Sequence, residues 1–391
     1  MGAIRDMFSK NLRQGGILVA FVAIVAVFAV WTDGKLLDPG NISNLVLQFS
    51  YILILAIGML FVIVVGHIDL SVGSVVALVG AVAATLVIKN GMPWWVGVLA
   101  GIATGLVIGA WHGFWVAYVG IPGFIVTLSG MLLFRGMTFR VLNSVSLSPM
   151  PAEYQRIASG FLNGLFGGYG FDVFTVVIGA VAAVGYAYSQ WRSRSAKIRY
   201  EQAVESMGLF IAKLVIVAAV IMYFAWKLST ARGFPIVLII LAFLILAYSF
   251  VSKNTIYGRH VYAIGGNLNA ALLSGVKVKR TIFWVYVHMG LLAGIAGVVF
   301  SSRSNGAQPS AGNMFELDAI AACFIGGAAV TGGVGTVAGA MIGGLVMAVM
   351  SNGMQLQGVQ VPTQQIVKGL VLLLAVAFDV WNKRRAAAAK S

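Results

Sequence analysis

Polar residues are sparse along this chain and fall in short clusters, with twelve long apolar runs between them. The runs cover residues 15–31, 50–66, 70–88, 94–117, 122–142, 173–190, 208–226, 233–251, 282–300, 317–331, 335–354 and 363–381. A bilayer core about 30 Å thick takes about 20 residues of helix. Within it every backbone N–H and C=O must be bonded inside its own segment. Each run therefore predicts a membrane-spanning helix. None alternates apolar and polar residues as the strands of a membrane barrel would. The first run follows Arg5, Lys10 and Arg13, as a secretion signal does, but no small-residue cleavage site follows Trp31, so it reads as a retained span. The expected fold is all-α and polytopic, one transmembrane domain over 1–391 with about twelve spans.

The basic clusters set the expected orientation. With the N-terminus inside, the inner segments hold Arg5, Lys10 and Arg13, then Arg192, Arg194, Lys197 and Arg199, then Lys253, Arg259, Lys277, Lys279 and Arg280, and finally Lys383, Arg384, Arg385 and Lys390. Outer segments keep only Lys35, Lys89, Arg156, Lys227, Arg232 and Arg303. The reverse topology would break the positive-inside rule, so both termini are expected in the cytoplasm.

Two distant stretches read alike. Ile68-Asp69-Leu70-Ser71 opens span 3, and Glu316-Leu317-Asp318-Ala319 opens span 10. Span 4 carries Gly97, Gly101 and Gly105, and span 11 carries Gly335, Gly339 and Gly343. Ile121-Pro122 precedes span 5, and Val361-Pro362 precedes span 12. Spans 2–5 (50–142) and 9–12 (282–381) thus form two copies of one unit. An odd number of helices separates them, so span 3 runs outward and span 10 inward. That is an inverted repeat, a common ground plan of membrane transporters. Gly101, Gly105, Gly109 and Gly113 recur every fourth residue, as do Gly335, Gly339 and Gly343, and Gly290 with Gly294. Such faces let helices approach closely where lipid removes the hydrophobic drive.

Composition narrows the chemistry. Apolar residues make up 60% of the 391 and charged ones 9%, against roughly a quarter charged in soluble domains. The mean hydropathy is +0.95, which excludes a soluble enzyme and a disordered tail. Cys323 stands alone, so neither an intrachain disulfide nor a zinc cage of several thiolates is possible. The net charge of +15 belongs to the inner loops and does not imply nucleic acid. His67, His112, His260 and His288 are scattered without metal-ligand spacing, and no phosphate loop or catalytic cluster is present. Acidic residues beside spans need a reason. Asp69, with Ser71, and Glu316 with Asp318 stand where spans begin, either capping helix starts or lining and gating a pathway. For Glu316 and Asp318, docking of an external partner is a further option. Lys368 within span 12 either neutralises a carboxylate or snorkels.

The informative soluble piece is the inner loop at 253–281, which follows the central spans (173–251). Asn267 is placed to start a short helix and Gly275 to end it. Leu268, Ala271 and Leu272 then share one face at i, i+3, i+4 spacing, suited to a groove on another protein.

Four motifs together resemble the bacterial ribose/xylose/galactoside permeases of ATP-binding-cassette (ABC) importers. They are Gly66-His67-Ile68-Asp69-Leu70-Ser71-Val72-Gly73-Ser74, Phe124-Ile125-Val126-Thr127-Leu128 with Arg135-Gly136, the loop from Gly258 and Arg259 through Asn267, Leu268, Ala270, Ala271 and Leu272 to Gly275, and Glu316-Leu317-Asp318-Ala319-Ile320-Ala321-Ala322 with Gly326-Gly327. The likeness covers roughly residues 40–380, and only His67 departs, from a frequent glycine. Spans 6 and 7, with the basic stretch 191–207, look like the insertion of the xylose and multiple-monosaccharide branch. The resemblance implies an inner-membrane homodimer around a sugar pathway, a cytoplasmic tandem-domain ATPase and a periplasmic sugar-binding protein. It makes 267–275 the coupling helix, leaves this chain without a cofactor, and gives ATP and Mg to the partner. It leaves the sugar open: xylose, or several such as glucose, galactose and arabinose. Other readings are a proton-coupled secondary transporter, an ABC permease for a nucleoside or signalling sugar, and a membrane-embedded enzyme.

Overall fold

A computed structural model describes residues 12–388. Arg5, Lys10 and Lys390, used above for orientation, lie outside the described residues. The helices are α1 (Leu12–Trp31), α2 (Pro39–Val64), α3 (Val72–Ala84, extended by a π-turn to Lys89), α4 (Trp94–Phe114, extended to Val119), α5 (Gly123–Leu142), α6 (Ala152–Ser159), α7 (Val173–Arg199) and α8 (Met207–Ser229). They continue with α9 (Ile236–Asn254), α10 (Ile256–Gly266), α11 (Leu268–Leu273), α12 (Val278–Arg303), α13 (Phe315–Ile325), α14 (Val337–Leu356) and α15 (Val361–Ala388). Among the described residues nine helices are long and apolar enough to cross a membrane, and α1 and α15 contain shorter apolar stretches, Gly16–Trp31 and Val361–Ala377. The chain is all-α and polytopic.

The tenth expected span is corrected. Instead of crossing at 317–331, α13 has 11 residues, about 16 Å at 1.5 Å per residue, roughly half the apolar core. Gly326 is its C-cap, packed against the Gly339 carbonyl, and Gly327, Gly332 and Gly333 then turn with positive φ and end the helix. The segment 326–336 is apolar in composition yet is a loop.

Contacts between helices give the directions. Tyr51 of α2 meets Phe300 of α12 with ring centroids 5.0 Å apart, and Gly58 lies against Met289 and Leu292. These two helices are therefore antiparallel. The helix α3 runs parallel to α12, with Val76 beside Gly297 and Gly80 beside Ser301. Likewise α13 runs parallel to α2: Phe315 is 4.7 Å from Tyr51 ring to ring, and the Cys323 thiol donates to the Ala56 carbonyl at 3.4 Å. It follows that α3 and α13 point in opposite directions. The pairings repeat as well: α3 packs on α4, α5 and α12, as α13 packs on α14, α15 and α2. Each repeat thus packs largely against the other.

The glycine faces lie in these seams. A Cβ on Gly105 would strike the Gly290 carbonyl and the Gly294 backbone, and one on Gly109 the Tyr286 carbonyl. Gly101 fits between Val79 and Val298. In the second copy Gly339 faces the Gly326 carbonyl and Gly343 the Ala322 carbonyl. Gly335 lies before α14 begins and belongs to the loop, not to the helix face. Outside this core, α7 and α8 pack chiefly on each other.

Candidate functional site

The two breaks in the membrane helices come together. Residues 65–71 join α2 to α3, and 304–314 join α12 to α13. The start of α3 meets the end of the second link, where Gly73 and Gly312 are in backbone contact and the Glu316 carboxylate lies against Gly73. The helix α3 and the half-length α13 therefore begin side by side and run away to opposite faces. Their N-terminal ends carry partial positive charge and free N–H groups. The acidic residues lie at these ends. Asp69 is buried, and its Oδ1 accepts the Ser71 N–H at 2.8 Å and the Ser71 hydroxyl at 2.6 Å. Glu316 and Asp318 occupy the first turn of α13. Lys368 of α15 donates to both Asp318 oxygens, at 3.0 and 3.1 Å.

One helix holds both links. Thr127 of α5 donates its hydroxyl to the Ile68 carbonyl at 3.3 Å. Two turns on, Arg135 donates to the Pro309 carbonyl at 3.1 Å and also to that of Ala311. A backbone that leaves the helix inside a membrane must find such donors. Thr127 and Arg135 lie within one motif of the sequence, but no local spacing signals a bond spanning 174 residues.

Three of the scattered histidines meet tyrosines distant in sequence. His67 and His112 both flank the buried Tyr286: His67 Nδ1 is 3.2 Å from its hydroxyl, and the His112 ring centroid is 6.2 Å away. His288 Nδ1 lies 2.9 Å from the Tyr248 hydroxyl. Distance in sequence hid the shared tyrosine.

The loop 253–281 folds as two helices. The Thr255 hydroxyl accepts the Gly258 N–H at 3.0 Å and starts α10, and the Asn267 side chain accepts the Ala270 N–H at 3.0 Å and starts α11. Gly258 packs on the carbonyls of Val251 and Ser252 at the end of α9, while Arg259 is exposed. Gly275 closes the turn with φ 78°. The shared outward face of Leu268, Ala271 and Leu272 is corrected: Ala271 is 4% exposed, whereas Leu268, Leu272 and Leu273 are 47%, 53% and 91% exposed. The short methyl packs against the core, so α11 presents its leucines. The loop rests where the repeats meet. Gly265 touches the Val64 carbonyl and Gly333, the Gly333 N–H donates to Val64 O at 2.8 Å, and the Tyr262 hydroxyl donates to Gly335 O at 2.8 Å.

The comparison with known proteins decides the class. The family model described as branched-chain amino acid transport system / permease component matches residues 41–376. The chain belongs to this permease family. The permease is 41% identical over 384 residues to the xylose transport system permease protein XylH of Escherichia coli (strain K12), covering 98% of this chain and 96% of that one. It is 42% identical to the XylH of Haemophilus influenzae, over 96% and 98% of the two chains. With the ribose import permease protein RbsC of Escherichia coli (strain K12) it shares 33% over 97% and 98%. No solved structure matches the permease. Its apolar helices and these relatives make it a multi-pass inner-membrane transport subunit.

Proposed function

We propose that the permease is the membrane subunit of an ATP-driven importer for a pentose, xylose in the first place. The observation that carries this reading is the 41% identity to a xylose permease across nearly the whole of both chains, against 33% to a ribose permease. Similarity that runs end to end favours a sugar over the amino acids in the family's description. Two copies of the permease enclose the pathway, a periplasmic binding protein delivers the sugar, and a tandem-domain ATPase binds ATP and Mg at the cytoplasmic loops. Reconstituted with such an ATPase and a xylose-binding protein, the permease should take up labelled xylose when ATP is supplied, with no loss on adding an uncoupler. Uptake that an uncoupler abolishes would turn the reading to the proton-coupled alternative.

The shape of the 253–281 loop supports a coupling role. The exposed leucines of α11 offer a docking face, and behind them Gly265 and Tyr262 bear on Val64, Gly333 and Gly335. A push on α11 reaches the end of α2 and the loop that follows α13 through these backbone contacts. Leu272→Asp places a charge at the docking face, where burial against the ATPase leaves it unpaired. It should lower ATPase capture by at least about tenfold, only about 1.4 kcal/mol, with normal amounts of folded permease. Ala271→Asp should instead reduce the folded permease itself. The reverse pattern in a pull-down with matched extraction yields would discard this face.

In this reading Asp69, Ser71, Glu316 and Asp318 organise the starts of α3 and α13, and both termini are cytoplasmic. Cysteines at Ser195 and Ser274 should then be protected from an impermeant thiol reagent outside intact cells. A cysteine at the fully exposed Tyr169, at the other end of α7, should react. Labelling at position 195 instead of 169 would invert the topology.

A further inference from the structure

Beside the docking face lies a pocket of about 370 Å³ that the transport reading leaves unused. It is lined by Ile256, Tyr257 and His260 of α10 and by Lys277, Arg280 and Trp284 at and within the start of α12. We infer that this pocket holds the phosphodiester headgroup of an anionic phospholipid.

Charge is the first ground. No Asp or Glu occurs between Glu205 and Glu316, so the loop's cations have no local counter-charge. Among the described residues no carboxylate forms an ion pair with Lys277 or Arg280. Two cations converging on one concave site without an acid leave a place for an anion. Position along the membrane is the second ground. Lys277 stands at the N-cap position of α12, Arg280 is in its first turn, and Trp284 is about 6 Å further along the same membrane-crossing helix. Trp284 is 43% exposed and Ile256 63%. The pocket thus runs from a cationic mouth to an apolar flank, the order of headgroup and acyl chain in a lipid. Tryptophan at this depth and arginine or lysine outside it is how membrane proteins meet the interface. An acidic patch on a soluble partner would match the cations but would have no use for the exposed indole. The wall is rigid, since the Tyr257 ring lies parallel to Phe61 of the core, centroids 6.5 Å apart.

The test is native mass spectrometry of the full-length permease in detergent, offered phosphatidylglycerol and phosphatidylcholine at equal concentration. Each basic side chain near the surface strengthens capture of an anionic lipid by about fivefold, so the wild type should retain phosphatidylglycerol by about 25-fold. The K277Q/R280Q variant should lose that preference. K253Q/K279Q, which removes the same charge from the loop outside the pocket, should keep it. Equal retention of the two lipids by the wild type would overturn the inference. So would an equal loss of preference in both variants, which would assign the effect to the loop's charge as a whole. Displacement of phosphatidylglycerol by millimolar inorganic phosphate would make the site one for free phosphate and likewise overturn it. A K277Q/R280Q variant that keeps its lipid preference but loses the ATPase would assign the pocket to the protein partner.

Discussion

Gly105→Leu is expected to leave almost no folded permease in the membrane. A single Cβ there already meets the Gly290 carbonyl, with the Cα and N of Gly294 at 2.7 and 2.8 Å. Over-packing in an ordinary core costs about 1–3 kcal/mol, because side chains turn aside. Here the obstacle is backbone, so α4 and α12 must move apart. The contacts at Gly109 and Gly113 further along the same seam would go with them. Lipid offers no hydrophobic drive to close the gap again. Gly136, whose Cβ position has nothing within 4 Å, is the control. Gly136→Leu should be extracted in mild detergent as a monodisperse species at wild-type yield. Similar yields for the two variants on size exclusion would contradict the backbone contact between the repeats.

Lys368→Met should be the most damaging change at the half-length helix α13. The Asp318 side chain is 15% exposed and that of Lys368 23%, so the pair is largely withdrawn from solvent. Removing one partner of such a pair costs about 3–5 kcal/mol, mostly because the other charge is stranded, and a lone carboxylate at membrane depth is worse placed still. The folding equilibrium constant should fall by about a hundredfold or more, read as a large drop in the detergent melting temperature. The double variant Lys368→Met with Asp318→Leu should recover most of the loss, since two apolar groups need no partner. A double variant that melts no higher than Lys368→Met would show that the ion pair is not what secures α13 to α15.

The nine long apolar helices could be read from the sequence because a membrane forces the backbone to bond within its own segment, leaving hydropathy in charge. The same rule misled at α13. Residues 326–336 are as apolar as a helix, and only the positive φ of Gly327, Gly332 and Gly333 makes them a loop. Hydropathy cannot separate half a helix from a whole one when the loop is glycine and alanine. At α11 the spacing of Leu268, Ala271 and Leu272 marked a face. A helix of 6 residues is under two turns, and which side meets the core was settled by packing of the alanine. The Asn267 cap was legible since it depends on local bonds alone. The bond from Arg135 to Pro309 was not, and for Lys368 the sequence offered a carboxylate or the membrane surface without naming Asp318, because each bond is formed by a chain that must first fold back over many helices.

The exchange of partners between the repeats also sets a timetable for biosynthesis. Gly105, Gly109 and Gly113 of α4 close on α12, and α13 closes on α2. Roughly 190 residues separate Gly105 from Gly294, so at about 5–20 residues per second the ribosome needs about 10–40 s to deliver the second face. Throughout that interval α2 to α5 sit in the bilayer with a notched, unpartnered surface turned to lipid. Helices already inserted must stay near one another and unclaimed by neighbouring proteins until α12 emerges. The first half of the chain is thus a waiting intermediate, the stage at which an insertase or membrane chaperone has most to protect.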